Sequence, residues 1–540
     1  MREISLLDCS VRDGGYLNDW KFGRNCLVSI FERLVDSKID IIEVGFIDDR
    51  RPFDYDRSIG PDTASLKKIW GCVEKRPNTV VGMIDYGTCS IDNIENVEDS
   101  FLDGIRVIFK KQKMKEAMEF CGEIKKKGYL VFAQLVSITS YSRDELLELV
   151  SMANMIKPYA VSIVDTYGLL FPDRLQFYFD ILDANLDQSI RLGFHAHNNF
   201  QMAFSNTMAF LSQKTERGIL VDGTLYGMGK CAGNAPIELL AMLLNEKYDK
   251  DYRIDPLLEA ITDSIMPLMD KNPWGYQKNF FMTAKNECHP NYLNYFTNKG
   301  NLSVSDLDIL LSQINPEEKR LLYDESLAES IYNSYVEKKY DDAFYLSELR
   351  KRLEGREILI IGPGKNVKLQ ADQVKDYIYT SDPVIISINF LPDDYKVDYV
   401  FLSKSNRYEE MTVKLHQLSD IGIIATSNLT YKNVPFEYVF NRETLIEKGG
   451  LFTDNSFLML LKILKRTGIK AVTCAGLDGY SDVEANYVNP SMEYEFIKGV
   501  AYMLNSSVQT KLNTEFKDMK IRFITYSHYS DVEDMSNAAY

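Results

Sequence analysis

The segment Gly193–Asn199 reads GFHAHNN and overlaps an apolar run, residues 191–196, that predicts a short β-strand. His195 and His197 are two positions apart, and side chains of a strand alternate between its faces, so both imidazoles point to the same side. The chain contains only five histidines. Two imidazoles on one face, joined by one or more carboxylates, form a metal-binding arrangement. Taken alone, the motif also fits a polar strand end with two solvated histidines.

Similar β-rich apolar runs recur through the first 225 residues and alternate with segments of helical periodicity, such as 25–37 and 143–156. The runs are 4–10, 39–46, 79–85, 104–110, 129–136, 159–166, 191–197 and 218–225. Eight strands alternating with helices over about 240 residues predict a (β/α)₈ TIM barrel. The alternative is an open doubly wound sheet, which requires an early glycine-rich phosphate turn, and RDGGY at residues 12–16 is not one.

Reactive side chains occur at several of the predicted strand ends, where TIM-barrel enzymes place their chemistry. A glycine-rich loop after the eighth strand, residues 227–236 (GMGKCAGNAP), adds an amide near its end. No single residue is specific, but their convergence on one rim indicates an active site. The candidates are Arg12 and Asp13 (strand 1), Glu43 (strand 2), Gln134 and Ser137 (strand 5), Asp165 and Thr166 (strand 6), His195 and His197 (strand 7) and Asn234 (the loop).

Composition limits the remaining function classes. An apolar fraction of 45% and a charged fraction of 26% are typical of a globular protein. The formal net charge of −16 disfavours nucleic acid or an anionic membrane as the main partner. Eight cysteines are scattered without a CxxC pair, and no uncharged apolar run approaches the roughly 18 residues that span a bilayer. We therefore expect a cytoplasmic protein that binds neither nucleic acid nor membrane.

At 540 residues the chain is too long for one hydrophobic core. We predict a barrel domain over residues 1–265, a helical extension and connector over 266–354, and a Rossmann-like α/β domain over 355–540 with a mostly parallel sheet. The aromatic segment 276–296 is expected to pack on the barrel or on a second subunit, and we expect a homo-oligomer. Gly362-Pro363-Gly364 follows the first strand of the last domain, where backbone N–H groups can bind phosphate, although a plain strand-to-helix turn fits as well.

Three motifs of the first 300 residues together resemble the DRE-TIM metallolyase superfamily: DCSVRDG at 8–14, HAHNN at 195–199 and the loop ending in GNAP. VDTYGLLFP at 164–172 and DGTLYGMGKCAGNAPIE at 222–238 are similar to motifs of the 4-hydroxy-2-oxovalerate aldolases within it, which are related to the HMG-CoA lyases. The resemblance implies a carbon–carbon lyase for a 2-oxo acid, of the pyruvate-plus-aldehyde type, that works through a metal-stabilised enolate.

The resemblance also implies roles for individual residues. Asp13, His195 and His197 would bind one divalent metal, and this donor set suits Mn²⁺ or Mg²⁺, with Zn²⁺ as a further option. The Arg12 guanidinium would stabilise the developing oxyanion and contact substrate. Thr166 corresponds to the position that holds the pyruvate carboxylate, and Glu43 and Asn234 correspond to positions that support the metal ligands.

One departure from the aldolase pattern concerns the catalytic base. The aldolases read RDGSH, and their histidine takes the proton of the 4-hydroxyl, whereas this chain has Tyr16 at that position. An unperturbed tyrosine, with a pKa near ~10, is a poor base at neutral pH. Three explanations stay open: the metal and Arg12 lower the pKa of Tyr16, another group takes the proton, or the reaction differs. A lid over the pocket is the purely structural role for this ring, and Cys231 is interpreted as a bystander thiol.

Other functions stay open from the sequence. A Claisen-type synthase would condense an acyl-CoA with a 2-oxo acid on the same metal site. A non-catalytic barrel would leave function to the last domain, whose ILIIGPGK and AGLDGYSD segments resemble nucleotide-sugar domains and predict a nucleotide sugar or phosphorylated ligand. A non-haem iron oxygenase shares the two-histidine, one-carboxylate set, but Arg12 beside the carboxylate disfavours it.

Overall fold

The computed structural model describes residues 2–73, 79–299, 302–315, 317–418, 420–429, 434–447, 454–483, 485–494 and 497–530. These residues belong to two compact units, one of residues 1–294 and 311–324, the other of residues 295–310 and 325–540. The domain limits at residues 265 and 354 stay a prediction. Within the described ranges, no helix combines the length and the apolar character that crossing a bilayer requires.

The first unit contains a closed barrel of eight parallel strands, which confirms the predicted TIM barrel. Each strand pairs with the next along the chain, and β1 pairs with both β2 and β8, which closes the barrel. A two-residue strand, Ile59–Gly60, pairs with the end of β2. The strands are β1 (Ile4–Asp8), β2 (Ile41–Ile47), β3 (Thr79–Asp85), β4 (Gly104–Phe109), β5 (Leu130–Leu135), β6 (Ala160–Asp165), β7 (Arg191–Ala196) and β8 (Ile219–Gly223).

Seven helices alternate with these strands, and the apolar faces of the helices pack on the outward side chains of the barrel. Residues 24–36, for example, bury Leu27, Ile30 and Leu34, which share one helical face because they lie three or four positions apart. The helices are Arg24–Asp36, Thr63–Trp70, Met114–Lys126, Arg143–Ile156, Pro172–Asn185, Ala203–Leu211 and Ile237–Tyr248.

The barrel interior has an apolar layer, and a polar layer lies two residues further along the strands. Alternation along each strand produces this order, because every second side chain points inward. The apolar layer includes Leu7, Ile41, Val81, Phe132, Ala160 and Leu220. Two residues beyond four of these positions, the buried side chains are polar: Glu43, Gln134, Ser162 and Asp222. Apolar side chains therefore fill the barrel interior at one level, and polar side chains fill it at the next.

The sequence reading of strand 1 needs a correction. Arg12 and Asp13 do not lie on the strand, which ends at Asp8, but on the short helix Ser10–Asp13 that follows it. The Trp20 indole N–H donates to the Arg12 carbonyl oxygen at 2.8 Å and so helps to fix this turn. His197 also lies one residue beyond β7 and pairs with Asn234 in an isolated antiparallel bridge.

Further helices follow the barrel along the chain. A π-helical turn, Ile261–Ile265, joins Asp255–Ala260 to Met266–Met269. The remaining helices before the second sheet are Lys278–Lys285, Pro290–Asn298, Val304–Ser312, Glu317–Arg320, Glu325–Lys339 and Asp342–Leu353.

The second unit contains a seven-stranded parallel sheet, as predicted. Its strands are β9 (Ile358–Ile361), β10 (Val384–Ile388), β11 (Tyr399–Leu402), β12 (Gly422–Thr426), β13 (Tyr438–Phe440), β14 (Ala471–Ala475) and β15 (Lys520–Phe523). The strand order 13-12-11-10-9-14-15 reverses direction between β9 and β14, so these two strands form the topological switch point. The helices of this sheet are Asn366–Leu369, Ala371–Ser381, Ser405–Gln417, Ser456–Arg466 and Ala501–Thr514.

Candidate metal centre

Asp13, His195 and His197 converge at the carboxyl-terminal mouth of the barrel. The Nε2 atom of His195 lies 3.5 Å from Oδ2 of Asp13, and Nε2 of His197 lies 3.8 Å from the same oxygen. One donor atom from each residue lies within 4.8 Å of the others, and all three side chains are buried. The structure thus brings together two nitrogen donors and one oxygen donor as the sequence predicted; their role as ligands is a proposal developed below.

Hydrogen bonds orient both imidazoles toward Asp13. Nδ1 of His195 lies 3.0 Å from Oδ2 of Asp222, and Nδ1 of His197 lies 3.2 Å from the carbonyl oxygen of Gly233. Because both partners are acceptors, the neutral form of each ring carries its proton on Nδ1 and keeps a lone pair on Nε2. Acceptors behind metal-binding histidines fix tautomer and ring orientation in this way. The arrangement therefore fits a divalent cation.

The electrostatic environment keeps Asp13 ionised. Burial alone would raise the pKa of Asp13, but the Arg12 guanidinium and the two histidines hold it well below the ordinary value. Burial lowers the pKa of His197 to about 4. Burial lowers the pKa of His195, but the Asp13 and Asp222 carboxylates beside the ring raise it above the ordinary value overall. The carboxylate and the His197 imidazole are thus in the protonation states that metal binding requires at neutral pH.

Arg12 links the triad to a ring of buried charges. Its Nη1 donates to Oδ2 of Asp13 at 2.6 Å and its Nε donates to Oε2 of Glu43 at 2.7 Å. Arg106 donates to the same Glu43 oxygen at 3.0 Å and to Asp222. Since Asp222 contacts His195, the ring closes on Asp13. Removing one member would leave a buried charge without its partner, which typically costs about 3–5 kcal/mol.

The loop 227–236 packs against the triad. The Lys230 backbone N–H donates to Oδ1 of Asp13 at 2.9 Å. A Cβ at Gly229 would lie 2.7 Å from that same oxygen and 2.1 Å from Nδ2 of Asn234, so only glycine allows this close approach. Asn234 donates Nδ2–H to the Met228 carbonyl oxygen, and its buried Oδ1 has no hydrogen-bond partner among the described residues. An amide oxygen beside the triad is thus available to a cation.

A cavity of about 650 Å³ opens above the triad. Its lining includes Arg12, Asp13, both histidines, Tyr16 and Thr166. Oγ1 of Thr166 accepts the Ser137 N–H at 2.7 Å, which fixes the position of the hydroxyl oxygen at the cavity wall. Glu43 and Asn234 do not line the cavity: both are fully buried behind it. The structure therefore separates the candidates that can touch a substrate from those that support them.

Tyr16 lines the cavity beside Arg12. Its ring packs edge-on against Trp20, with centroids 4.9 Å apart. Although Tyr16 is 43% exposed, desolvation of its hydroxyl raises its pKa above the ordinary value against the opposing effect of Arg12. Arg12 alone thus does not bring the pKa of Tyr16 below its ordinary value, and the hydroxyl is protonated at neutral pH.

Several other strand-end candidates have structural partners. Asp165 accepts the backbone N–H groups of Leu169 and Leu170 at 2.7 and 3.0 Å, and so shapes the turn after β6. Gln134 bridges Arg106 and Ser162 inside the barrel at 3.0 Å each. Burial raises the pKa of Cys231 to about 11, so its thiol is protonated at neutral pH. Asp165 and Gln134 are thus engaged in hydrogen bonds of the barrel, and Cys231 offers no thiolate.

Sequence reasoning missed three residues of the site: Arg106, Asp222 and His289. Arg106 interrupts the apolar run GIRVIF, and a charge at an inward position of a buried strand was a usable signal. Asp222 has the same property in ILVDG. His289 lies well after the barrel strands in sequence, yet it lines the cavity, and its ring packs edge-on against Tyr167 with centroids 5.8 Å apart. No local pattern marked this histidine.

The second unit has its own cavity, of about 220 Å³, at the switch point between β9 and β14. The Gly362-Pro363-Gly364 turn lines it in part, but its N–H groups are not free to bind phosphate. Gly362 donates to the Ala475 carbonyl oxygen and Gly364 to that of Gly476, both at 2.8 Å. The turn is therefore a strand-to-helix connection, and the phosphate-binding interpretation of it is wrong. Besides this turn, the cavity is lined by Lys404, Arg407, Ser456, Asp478, Tyr480 and Tyr487, among others.

Comparison with known proteins agrees with the geometry of the barrel. The family model described as HMGL-like matches residues 3–260. The chain is 24% identical to the 4-hydroxy-2-oxovalerate aldolase of Pseudoalteromonas translucida over 278 residues, which cover 50% of this chain and 78% of that protein. It is 28% identical to the oxaloacetate decarboxylase of Mycobacterium tuberculosis over 253 residues, which cover 46% of this chain and 71% of that protein.

A solved structure of the HMG-CoA lyase from Brucella melitensis superposes with a TM-score of 0.41 at 15% identity, covering 50% of this chain and all of that one. The matched family and the aldolase relatives support a metal-dependent lyase as the class of the barrel. The barrel belongs to the HMGL-like family, the DRE-TIM metallolyases.

Proposed function

We propose that the barrel is a divalent-metal-dependent aldolase that makes or breaks a carbon–carbon bond between a 2-oxo acid, such as pyruvate, and an aldehyde. The observation that carries this proposal is the triad of Asp13, His195 and His197 under an open cavity, with the Arg12 guanidinium bonded to the same carboxylate. One negative and one positive group at the barrel mouth suit chemistry in which an enolate forms next to a carboxylate. The relatives named 4-hydroxy-2-oxovalerate aldolase support this reaction type.

Asp13, His195 and His197 would hold the cation, with Asn234 as a further oxygen donor beside them. When bound, a divalent cation supplies a Lewis acid for the negative charge that develops on the keto oxygen. Mn²⁺ and Mg²⁺ suit this mixed oxygen and imidazole set, and Zn²⁺ is a further option. Arg12 lines the cavity and would donate from its remaining N–H groups to the same charge, while Glu43 accepts from its Nε.

Thr166 would bind the carboxylate of the 2-oxo acid. Its Oγ1 already accepts one N–H, so its hydroxyl proton is left to donate into the cavity. Tyr16 would donate a hydrogen bond from its protonated hydroxyl to the oxygen of the aldehyde, because its raised pKa makes it a donor at neutral pH. Both roles need only the positions these side chains have at the cavity wall.

The test is turnover of 4-hydroxy-2-oxo acids by metal-depleted protein, followed as pyruvate release. We expect activity to disappear on chelation, to return with Mn²⁺ or Mg²⁺, and to stay below detection in His195→Ala. Tyr16→His, which restores the imidazole of the aldolase motif, should remain active. Wild-type rates in His195→Ala would refute the proposal.

Assays of the same metal-loaded protein distinguish two other reactions on this site. Thiol release from acetyl-CoA in the presence of a 2-oxo acid would indicate a Claisen-type synthase. Carbon dioxide release from oxaloacetate, without aldehyde turnover, would indicate the reaction named for the mycobacterial relative. Metal binding without any of these activities would favour a non-catalytic barrel.

For the second unit we propose a phosphorylated or nucleotide-linked ligand, such as a nucleotide sugar, in the cavity at its switch point. Open parallel sheets bind ligands at this place. Two cations line the cavity, Lys404 beside Asp454 and the buried Arg407, together with the N-terminus of the 11-residue helix Ser456–Arg466. Thermal shifts of the full chain with a panel of nucleoside diphosphate sugars test this, and no shift in any of them would contradict it.

A further inference from the structure

The cavity above the triad carries more positive charge than a 2-oxo acid and a metal site require. Five cationic side chains line it against three carboxylates: Arg12, Lys110, Lys111, Lys230 and Arg320 against Asp13, Asp85 and Glu287. Asp13 and Arg12 bond to each other, Glu287 pairs with Arg174 at 3.1 Å, and Lys111 pairs with Glu145 at 3.3 Å. The remaining groups are three cations, Lys110, Lys230 and Arg320, and one carboxylate, Asp85.

These three cations keep donor capacity. Within the described ranges, neither Lys110 nor Lys230 forms a side-chain hydrogen bond or an ion pair. The Arg320 guanidinium donates from Nε to the Ile314 carbonyl oxygen at 3.2 Å, which leaves its two amino groups. The Lys230 ammonium lies 5.5 Å from the centroid of the Tyr16 ring and 5.4 Å from that of Tyr167, so aromatic faces hold it at the cavity.

The barrel topology places Lys110 far from the metal ligands. Lys110 directly follows β4, which is three strands from β1 in one direction and three strands from β7 in the other. Asp13 follows β1, and the two histidines belong to the end of β7. A substrate that reaches from the triad to Lys110 must therefore cross the mouth, and the cavity of about 650 Å³ is far larger than a three-carbon acid needs.

His289 connects the other members of this group. Its backbone N–H donates to the Arg320 carbonyl oxygen at 2.7 Å, which holds the two residues together. Its Nδ1 accepts the Asn291 N–H at 3.1 Å, so the neutral ring carries its proton on Nε2 and is a donor. Burial and the charges of Lys230 and Lys110 lower the pKa of His289 to about 4, so the ring is neutral at neutral pH.

We propose that the aldehyde half of the substrate carries an anionic group, a phosphate or a carboxylate, which Lys110, across the barrel mouth from the triad, binds together with Lys230 and Arg320. The inference rests on the proposed aldolase function and specifies its substrate class. Three cations and a neutral donor around an open space match the several acceptor oxygens of such a group. Asp85, the remaining carboxylate of the lining, is exposed at the end of β3 and pairs there with β4, the strand that Lys110 follows.

Matched aldehydes test the proposal, with pyruvate as the common partner. We expect kcat/KM to be at least about tenfold higher for glyceraldehyde 3-phosphate than for glyceraldehyde, or for succinic semialdehyde than for butanal. The pair that shows the preference identifies the group as phosphate or carboxylate. Lys110→Gln and Arg320→Gln should each lower kcat/KM about tenfold for the charged aldehyde and leave that for the neutral one within about twofold.

The control variant is Lys113→Gln. Lys113 lies three residues after Lys110 but pairs with Glu116 at 3.2 Å and does not line the cavity, so its substitution should change neither substrate. Equal rates for charged and neutral aldehydes, or equal losses for both in Lys110→Gln and Arg320→Gln, would overturn the proposal while leaving the aldolase function intact.

A second arm does not depend on turnover. Titration of the metal-free protein with inorganic phosphate and with succinate should detect binding that weakens at least fivefold in Lys110→Gln and Arg320→Gln but not in Lys113→Gln. If no aldehyde reacts, the proposed function fails, and this arm still decides whether the cavity binds an anion. Binding that is unchanged in both variants would contradict the proposal.

Discussion

Asp13 in the barrel and Asp478 in the second unit are both buried carboxylates that follow a strand of a parallel sheet and line a cavity. Their environments differ. Arg12 and two histidines surround Asp13 and hold its pKa well below the ordinary value. Asp478 accepts the backbone and side-chain N–H of Asn366 at one oxygen. Its other oxygen is buried and has no hydrogen-bond partner among the described residues, and burial raises its pKa to about 6.

The difference teaches which ligand each site can take. A carboxylate that neighbouring cations keep ionised can bind a metal ion at once, and its imidazole neighbours supply the remaining donors. A carboxylate that is desolvated without an ion-paired cation gains most from a ligand that donates a hydrogen bond. A cavity at the end of parallel strands does not define its ligand; the charges around its carboxylate do.

The largest expected effect is the loss of metal binding in Asp13→Asn. The substitution removes the only anionic donor of the triad, so we expect metal affinity and turnover to fall by more than about 100-fold, beyond the loss typical of supporting residues. Isothermal titration with Mn²⁺ measures this. Asp85→Asn, which removes another carboxylate of the same cavity, is the control and should bind Mn²⁺ like the wild type. Unchanged Mn²⁺ affinity in Asp13→Asn would contradict the metal-binding role of Asp13, and with it the contrast between Asp13 and Asp478.

Asp478→Asn should change the pH dependence of stability. Because the folded-state pKa of Asp478, about 6, lies above the ordinary value of 3.8, its contribution is fully present below pH 3.8 and is lost as pH rises through 6. Relative to the variant, the wild type should lose on the order of 3 kcal/mol of unfolding free energy between pH 3.8 and pH 8. Urea unfolding of the full chain, monitored through hydrogen exchange of the β14 backbone amides, measures the difference. Asp376→Asn, at an exposed position of the same unit, is the control. A pH-independent difference would show that folding does not raise the pKa of Asp478.

Asp222→Asn should weaken metal binding without abolishing it. Asp222 orients the His195 ring, and loss of such partners costs about 10- to 100-fold in metal affinity. Urea unfolding at the same pH separates this effect from a general loss of stability, because Asp222 also neutralises Arg106. A variant that unfolds more easily but binds Mn²⁺ with wild-type affinity would show that Asp222 only balances charge.

The smallest effect is expected for Tyr16→Phe. If Tyr16 only donates a hydrogen bond to the aldehyde oxygen, its loss should lower kcat about tenfold and leave Mn²⁺ affinity unchanged. The pH profile of kcat should keep its shape, because the hydroxyl does not titrate near neutral pH. A loss of about 100-fold or more, together with a changed alkaline limb, would indicate that Tyr16 transfers a proton.

Much of the barrel followed from periodicity. The eight apolar runs correspond to β1–β8 within three residues at each end, and the spacing of His195 and His197 predicted their common face. The partners of these residues did not follow, because alternation tells which way a side chain points but not what lies across the barrel. Arg106 and Asp222 meet although they are 116 positions apart.

Two local readings failed for the same reason. Arg12 and Asp13 follow β1 on a helical turn of four residues, and a segment this short shows no helical periodicity in the sequence. The Gly362-Pro363-Gly364 turn resembles a phosphate site in sequence, but the neighbouring strand end accepts its N–H groups. In both cases tertiary contacts decide the conformation or the availability of the groups.

The most direct test of the metal site is a crystal of the full chain soaked with Mn²⁺, with data collected for the anomalous signal of manganese. The account predicts one strong peak at the barrel mouth, within bonding distance of Oδ2 of Asp13 and of Nε2 of His195 and His197. An absent peak, or a peak bound by other side chains, would contradict it.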